Sequence, residues 1–328
     1  MSRSRRVTST AVRVRMSVFI PSYYVLPSKY YCVVYSYAYA MSIHTPKSNP
    51  SLLSGIRWAE LWKEQMTRNL ACRDHQECAT VWITEEKARA FWKAACLNQD
   101  RYTPIVDLIA TGKPGQILDI GGGPGTLALP LAERGSQVTV VEPAAGMITV
   151  LNENAASRGL TGIRPVHERW EDVDIADLRG PYDAVVACFS LGMPDIAGAV
   201  RKMEQVCSGR IFLVWFAGRT PWEEVVQDLW PVYHQRPYEP GPKSDLLFQV
   251  LYQMGIYPDV SVRRDQHIEE HTRISDLVDD YAQRLCIPEG TDRKPIEKYF
   301  EARMTGPDGT YRLPGELTTM ILSWETRG

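Results

Sequence analysis

The chain has 328 residues, 44% of them hydrophobic, with 37 Lys and Arg against 39 Asp and Glu and seven cysteines; it can bury a core without covalent staples, and composition argues against collagenous, disordered and disulfide-framework classes. No apolar run approaches the roughly 18 residues that a spanning helix needs. The net charge of −2 averages two unlike pieces: residues 1–57 carry eight Lys and Arg and no acid, which leaves 29 basic against 39 acidic residues, a net of −10, for the rest.

Residues 1–50 match no core-building period: five Arg fall in the first fifteen residues and seven Tyr between Tyr23 and Tyr39. They read as a poorly structured or non-native extension. A presequence, a disordered arm and a stretch translated ahead of a start at Met41 compete, and the last is preferred because Pro21, Pro27 and Lys29 interrupt any secretory apolar segment. The rest, residues 51–328, reads as one domain. Ser54 can cap a helix through IRWAELWKEQMTRNLA, Thr84 with Glu85 and Glu86 opens a second helix, and YTPIVDLIATG makes a third that ends at Gly112. β-branched runs separated by helices then follow, QILDIGG, QVTVVEP, IRPVHERW, YDAVVACF and RIFLVWF, the pattern of a mostly parallel sheet covered on both faces. Beyond Phe216, PWEEVVQDLWPVY, SDLLFQVLYQMG, ISDLVDDYAQRL and PIEKYFEARM read as helices, and DVSVRRD and TTMILSW as strands.

The chemistry concentrates in ILDIGGGPGTLALPLA, residues 117–132. A strand delivers Asp119, glycines turn the chain at Gly121, Gly122, Gly123 and Gly125, and an apolar helix is expected near Thr126. A dinucleotide loop would need glycine at 126, where Thr126 stands, and Pro124 removes an N–H that a pyrophosphate would use. The spacing is D-x-G-x-G-x-G. At the end of the next strand Glu142 offers a carboxylate that can accept from both hydroxyls of a ribose diol.

ILDIGGGPG, then VTVVEPAAGMI, HERWEDVDI and YDAVVACFSLG, resemble the class I S-adenosylmethionine-dependent methyltransferases over about residues 84–218. The resemblance implies a Rossmann-like α/β fold: a doubly wound, mostly parallel seven-stranded sheet with an antiparallel last strand at 318–324, amino-terminal helices, and a helical lid inserted within about 219–328. It implies S-adenosyl-L-methionine as cofactor, with Gly121, Gly123 and Gly125 under its methionine part, Asp119 holding the turn and the amino group, Glu142 on the ribose and Met147 over the adenine. Trp170 and Glu171 are expected at the adenine ring, and Cys188 and Phe189 beside the sulfonium. Acceptor-pocket candidates are Trp92, Ser190, Met193, Trp215, Tyr238 and Lys243.

Methyl transfer from a sulfonium asks mainly for alignment and exclusion of water, so no catalytic base is assigned. The strand tip ACFSLGMPD lacks the Asn/Asp-Pro-Pro-aromatic element that grips a flipped base, and an acidic body opposes polyanions. The expected acceptor is therefore a small molecule or a protein side chain, with nucleic acid and membrane disfavoured and the oligomeric state open. A non-catalytic cofactor-binding scaffold of the same fold is the alternative. Singly scattered cysteines suit a cytoplasmic protein. No metal is expected. His267-Ile-Glu-Glu-His271 imitates a zinc-protease pattern but reads as a strand-to-helix connection, and Cys72-x-x-His75-x-x-Cys78 lacks a fourth ligand.

Overall fold

A computed structural model describes residues 55–74, 78–303 and 311–326, all within the compact unit Leu52–Gly328. The extension at 1–50, His75 and the Cys78 side chain lie outside the described residues. Four helices come first, α1 (Trp58–Cys72), α2 (Cys78–Val81), α3 (Glu85–Leu97) and α4 (Gln99–Ala110). The Thr84 hydroxyl caps α3 by accepting from the Lys87 N–H at 3.4 Å, with Glu85 and Glu86 in the first turn where the helix dipole favours acids. Strand and helix then alternate through β1 (Gln116–Ile120), α5 (Ala128–Glu133), β2 (Gln137–Val141), α6 (Ala145–Ser157), β3 (Ile163–Val166), β4 (Tyr182–Cys188), α7 (Ile196–Val206) and β5 (Cys207–Phe216). The helix expected near Thr126 starts two residues later, at Ala128. After β5 come α8 (Pro221–His234), α9 (Ser244–Gln253), β6 (Asp259–His271), α10 (Ile274–Arg284), α11 (Lys294–Glu301) and β7 (Tyr311–Glu325).

The seven strands lie in the order β3-β2-β1-β4-β5-β7-β6. β1 to β5 pair in parallel, and β7 runs antiparallel to both β5 and β6. Alternation along each strand feeds two cores. Leu118, Ile120, Val185, Ala187, Ile211 and Leu213 face one side against α1, α7 and α9. Ile117, Val138, Val140, Ala184, Val186 and Phe212 face the other against α4, α5 and α6. Burial on both faces explains why these strands read as continuous apolar runs.

The lid holds a core of its own, in which Val225, Leu229 and Trp230 of α8 meet Leu277 and Tyr281 of α10 and Ile296 and Phe300 of α11. Beneath it the β6–β7 ribbon is longer than the sequence pattern suggests, because β6 continues to His271 and β7 begins at Tyr311 rather than 318. The His267–His271 motif is thus strand and not a connection. On a strand the two imidazoles share a face about 13 Å apart, too far to chelate one ion. Among the described residues no group of three metal-ligating side chains occurs, and no helix is long and apolar enough to cross a membrane.

Candidate functional site

The carboxyl ends of β1, β2 and β4 meet where strand order reverses, the place at which doubly wound sheets leave a crevice. The chain turns out of β1 through Gly121, whose φ of 67° favours glycine and whose N–H donates to the Val141 carbonyl at 2.7 Å. A Cβ at Gly121 would overlap the Ser190 side chain, and one at Gly125 would sit 2.7 Å from Leu151 and 2.8 Å from Leu129. Gly123 differs. A Cβ there would meet only the Met147 sulfur, at 3.9 Å, so this glycine keeps an open approach rather than a packed one.

Glu142, 6% exposed, follows β2 and is gripped by backbone. One oxygen accepts from the Gly123 N–H at 3.0 Å and the other from the Ala144 N–H at 2.9 Å. Burial raises its carboxyl and the two amides oppose the rise. Each oxygen retains a lone pair, so the group is held in position with capacity for two more donors. Asp119, 1% exposed, has no such help: its Oδ2 has no hydrogen-bond partner, and burial, then the Glu142 charge, pushes the carboxyl up to about 7. Cys188, at the tip of β4, stays a thiol because burial, reinforced by Asp119, raises it well above the ordinary range.

Phe189 follows in a left-handed conformation, φ 56°, and Ser190 donates to the Ile120 carbonyl at 2.5 Å, tying the β4 tip to β1. The Phe189 ring stacks on Phe216 at 4.8 Å and meets Tyr102 edge-on at 6.3 Å. Phe216 in turn meets Trp222 at 5.4 Å and Trp215 at 5.1 Å, and Trp222 meets His267 at 5.3 Å. Lys243 stands at the end of this aromatic wall, 5.9 Å from the Phe216 ring, with its ammonium on the buried Glu223 at 2.7 Å. The indole N–H of Trp215 donates to the Pro242 carbonyl at 2.8 Å.

Asp119, Gly121, Gly123, Gly125, Glu142, Met147, Cys188, Phe189 and Ser190 therefore come together, and Trp215 and Lys243 border them. Other expected residues do not join. Trp170, 2% exposed, packs in the core against α7, where its indole N–H donates to the Ala199 carbonyl at 3.2 Å and Lys202 lies 4.8 Å from its ring. Glu171 is exposed beside it. The residues at the β3 tip are instead His167, whose Nε2 hydrogen-bonds the Pro143 carbonyl at 3.0 Å, and Glu168. Trp92 packs beside α6, under Arg158 at 5.7 Å. Tyr238 belongs to the lid core, its hydroxyl accepting from Asn69 at 3.0 Å. Met193 is a core side chain whose carbonyl accepts from Trp62 at 2.8 Å. Sequence reasoning missed Arg101, Tyr102, Phe216, Trp222 and His267, because folding alone brings α4, the end of β5, the start of α8 and β6 together.

Residues 117–209 match the family model described as a methyltransferase domain. The match runs from β1 to the start of β5 and includes the D-x-G-x-G-x-G turn, so this part of the chain is similar to domains that take S-adenosylmethionine as cofactor. An uncharacterized protein of Haemophilus influenzae is 27% identical over 165 residues, 48% of this chain and 57% of that protein. Ribosomal RNA small subunit methyltransferase G of Sorangium cellulosum is 30% identical over 151 residues, 44% of this chain and 59% of that protein. The chain thus spans just under three-fifths of the length of these curated relatives. Among solved structures, magnesium protoporphyrin IX methyltransferase of Synechocystis, with bound SAH, superposes with a TM-score of 0.43 at 19% identity, covering 70% of this chain and 83% of that one. The YcgJ protein of Bacillus subtilis gives 0.43 at 18% identity, covering 68% and 98%. The residues at the strand tips fit the cofactor's chemistry: an unpartnered buried carboxylate suits a cationic amine, the Glu142 oxygens suit a diol, and the open side of Gly123 admits a ligand against the backbone.

Proposed function

We propose that this chain transfers the methyl group of S-adenosylmethionine, by in-line displacement, to a small molecule or a protein side chain. The observation that carries the reading is the pairing of Asp119, buried and without a hydrogen bond on Oδ2, with Glu142, held by two amides, across the turn Gly121–Gly125. When bound, the cofactor supplies an electrophilic methyl on a sulfonium. Asp119 would hold the ammonium of its amino-acid end and Glu142 the ribose hydroxyls. Met147 would pack beside the adenine. Cys188 and Phe189, at the β4 tip, would wall the reacting carbon off from water, with Phe216 and Trp222 continuing the wall toward the acceptor. Cys188 is held as a thiol and is not assigned as a base.

One matched relative is named for ribosomal RNA. In this chain the excess of ten acids beyond Arg57 opposes a polyanionic acceptor, which supports a small molecule or a protein instead. The test is transfer of labelled methyl from S-adenosylmethionine into metabolite, protein and RNA fractions. The reading expects label in one of the first two and its loss with Glu142→Ala; label confined to RNA would overturn the acceptor class, and failure of the wild type to bind the cofactor would overturn the activity.

A further inference from the structure

Beside the strand tips one buried cation stands without an ion-pair partner among the described residues. Arg101, on α4, is 7% exposed; its guanidinium reaches the Asn98 Oδ1 at 3.5 Å and the His267 Nδ1 at 2.8 Å and lies 5.9 Å from the Tyr102 ring, with no ion pair among the described residues. Its Nε has no partner. A guanidinium can only donate, so the His267 Nδ1 must accept, and the proton of the neutral ring then resides on Nε2. The ring stays neutral because burial, then the Arg101 charge, lowers it to about 4. Two donors, Arg101 Nε–H and His267 Nε2–H, are thus left without a protein acceptor among the described residues.

The pair belongs to the site by geometry. His267 meets Trp222, Trp222 meets Phe216, Phe216 stacks on Phe189, and Phe189 meets Tyr102, the neighbour of Arg101 in sequence, which closes a circuit of side chains. The Cys188 thiol feels the charges of both Asp119 and Arg101, so the guanidinium lies near the β4 tip. Asn98 fixes β6 to this place, its side chain accepting from the Ile268 N–H and donating to the Ile268 carbonyl, each at 3.3 Å. A buried cation that no acid answers opposes folding unless an anion completes it.

We propose that Arg101 and His267 form a binding site for a carboxylate, two donors meeting two oxygens, within the aromatic wall of the methyl-transfer site. The inference rests on the methyltransferase reading. The carboxylate has two possible sources, the amino-acid end of the cofactor or an acid group on the acceptor, and the experiment separates them.

Full-length protein is titrated calorimetrically with S-adenosylmethionine and with decarboxylated S-adenosylmethionine, which keeps the amine. Protein saturated with S-adenosylhomocysteine is then titrated with benzoate. If the cofactor supplies the carboxylate, the wild type prefers S-adenosylmethionine by about 10- to 100-fold, R101Q abolishes the preference while leaving the decarboxylated ligand unaffected, and benzoate does not bind. If the acceptor supplies it, the two cofactors bind alike, and benzoate binds the loaded wild type but not R101Q. His267→Phe, which removes one donor, is the second variant should R101Q fail to fold, and it lowers the same preference or the same benzoate affinity several-fold. Equal binding of the two cofactors, with benzoate binding either absent or indifferent to both substitutions, overturns the site. That outcome is distinct from failure of the methyltransferase reading, in which neither S-adenosylmethionine nor S-adenosylhomocysteine binds the wild type.

Discussion

Asp119 and Glu142 are both buried carboxylates, yet two backbone amides partly offset the burial of Glu142 while the Oδ2 of Asp119 has nothing to offset it. The consequence is a dependence on pH. With its folded-state pKa raised to about 7, Asp119 contributes stability that is present at acid pH and lost as pH rises toward neutrality. Asp119→Asn is therefore expected to melt near the wild type at about pH 4 and above it at about pH 8, by up to on the order of 4 kcal/mol, in cofactor-free protein. A cationic ligand reverses the preference by favouring the ionised carboxylate, so wild-type affinity for S-adenosylhomocysteine is expected to rise between about pH 6 and 8 and to flatten in Asp119→Asn. A profile unchanged by the substitution would assign the dependence to another group. The glycines separate in the same way. Gly121→Ala drives a Cβ into Ser190 and is expected to cost more than 2 kcal/mol by denaturant unfolding. Gly123→Ala, with only Met147 nearby, is expected to cost about 1 kcal/mol of backbone strain yet weaken the cofactor more than tenfold.

At the scale of elements, the lid is tied to the sheet by a few buried charges. Glu269 on β6 accepts from the Tyr281 hydroxyl at 3.0 Å, lies 3.3 Å from His271, and has Arg284 of α10 at 3.8 Å. Burial alone would raise this carboxyl, but its donors and the Arg284 charge bring it down to about 2. A depressed acid contributes stability above its unfolded pKa and loses it as pH falls through the folded one. Glu269→Gln is accordingly expected to lower stability at pH 7 by on the order of 3 kcal/mol and to converge with the wild type near pH 2, as measured by unfolding across that range. The amino terminus of α8 is fixed by the Thr220–Glu223 capping box, with Lys243 on the same carboxylate. Thr220→Ala is expected to cost about 1 kcal/mol by thermal melting. Elements differ in how far sequence reveals them. β1, β2, β4 and β5 are buried on both faces and announce themselves as apolar runs. The outer half of β6, QHIEEH, alternates polar residues at a sheet edge, and only its partner β7 makes it a strand.

The whole molecule follows from one reversal in strand order, which gathers Asp119, Glu142 and Phe189 from three strand ends. The turn Gly121–Gly125 and the carboxylate after the next strand were legible because they are local. Trp170 was not, since an indole beside a strand end packs equally well inward, and here the Ala199 carbonyl captures its N–H. The Arg101–His267 pair was illegible for a different reason: the two residues lie 166 positions apart, and no spacing rule joins them. Isothermal titration of S-adenosylhomocysteine into wild type and Glu142→Ala tests the central claim most directly. Saturable binding to the wild type, weakened at least tenfold in the variant while the fold is retained, is the expected result. No binding to the wild type, or equal binding to both proteins, would contradict it.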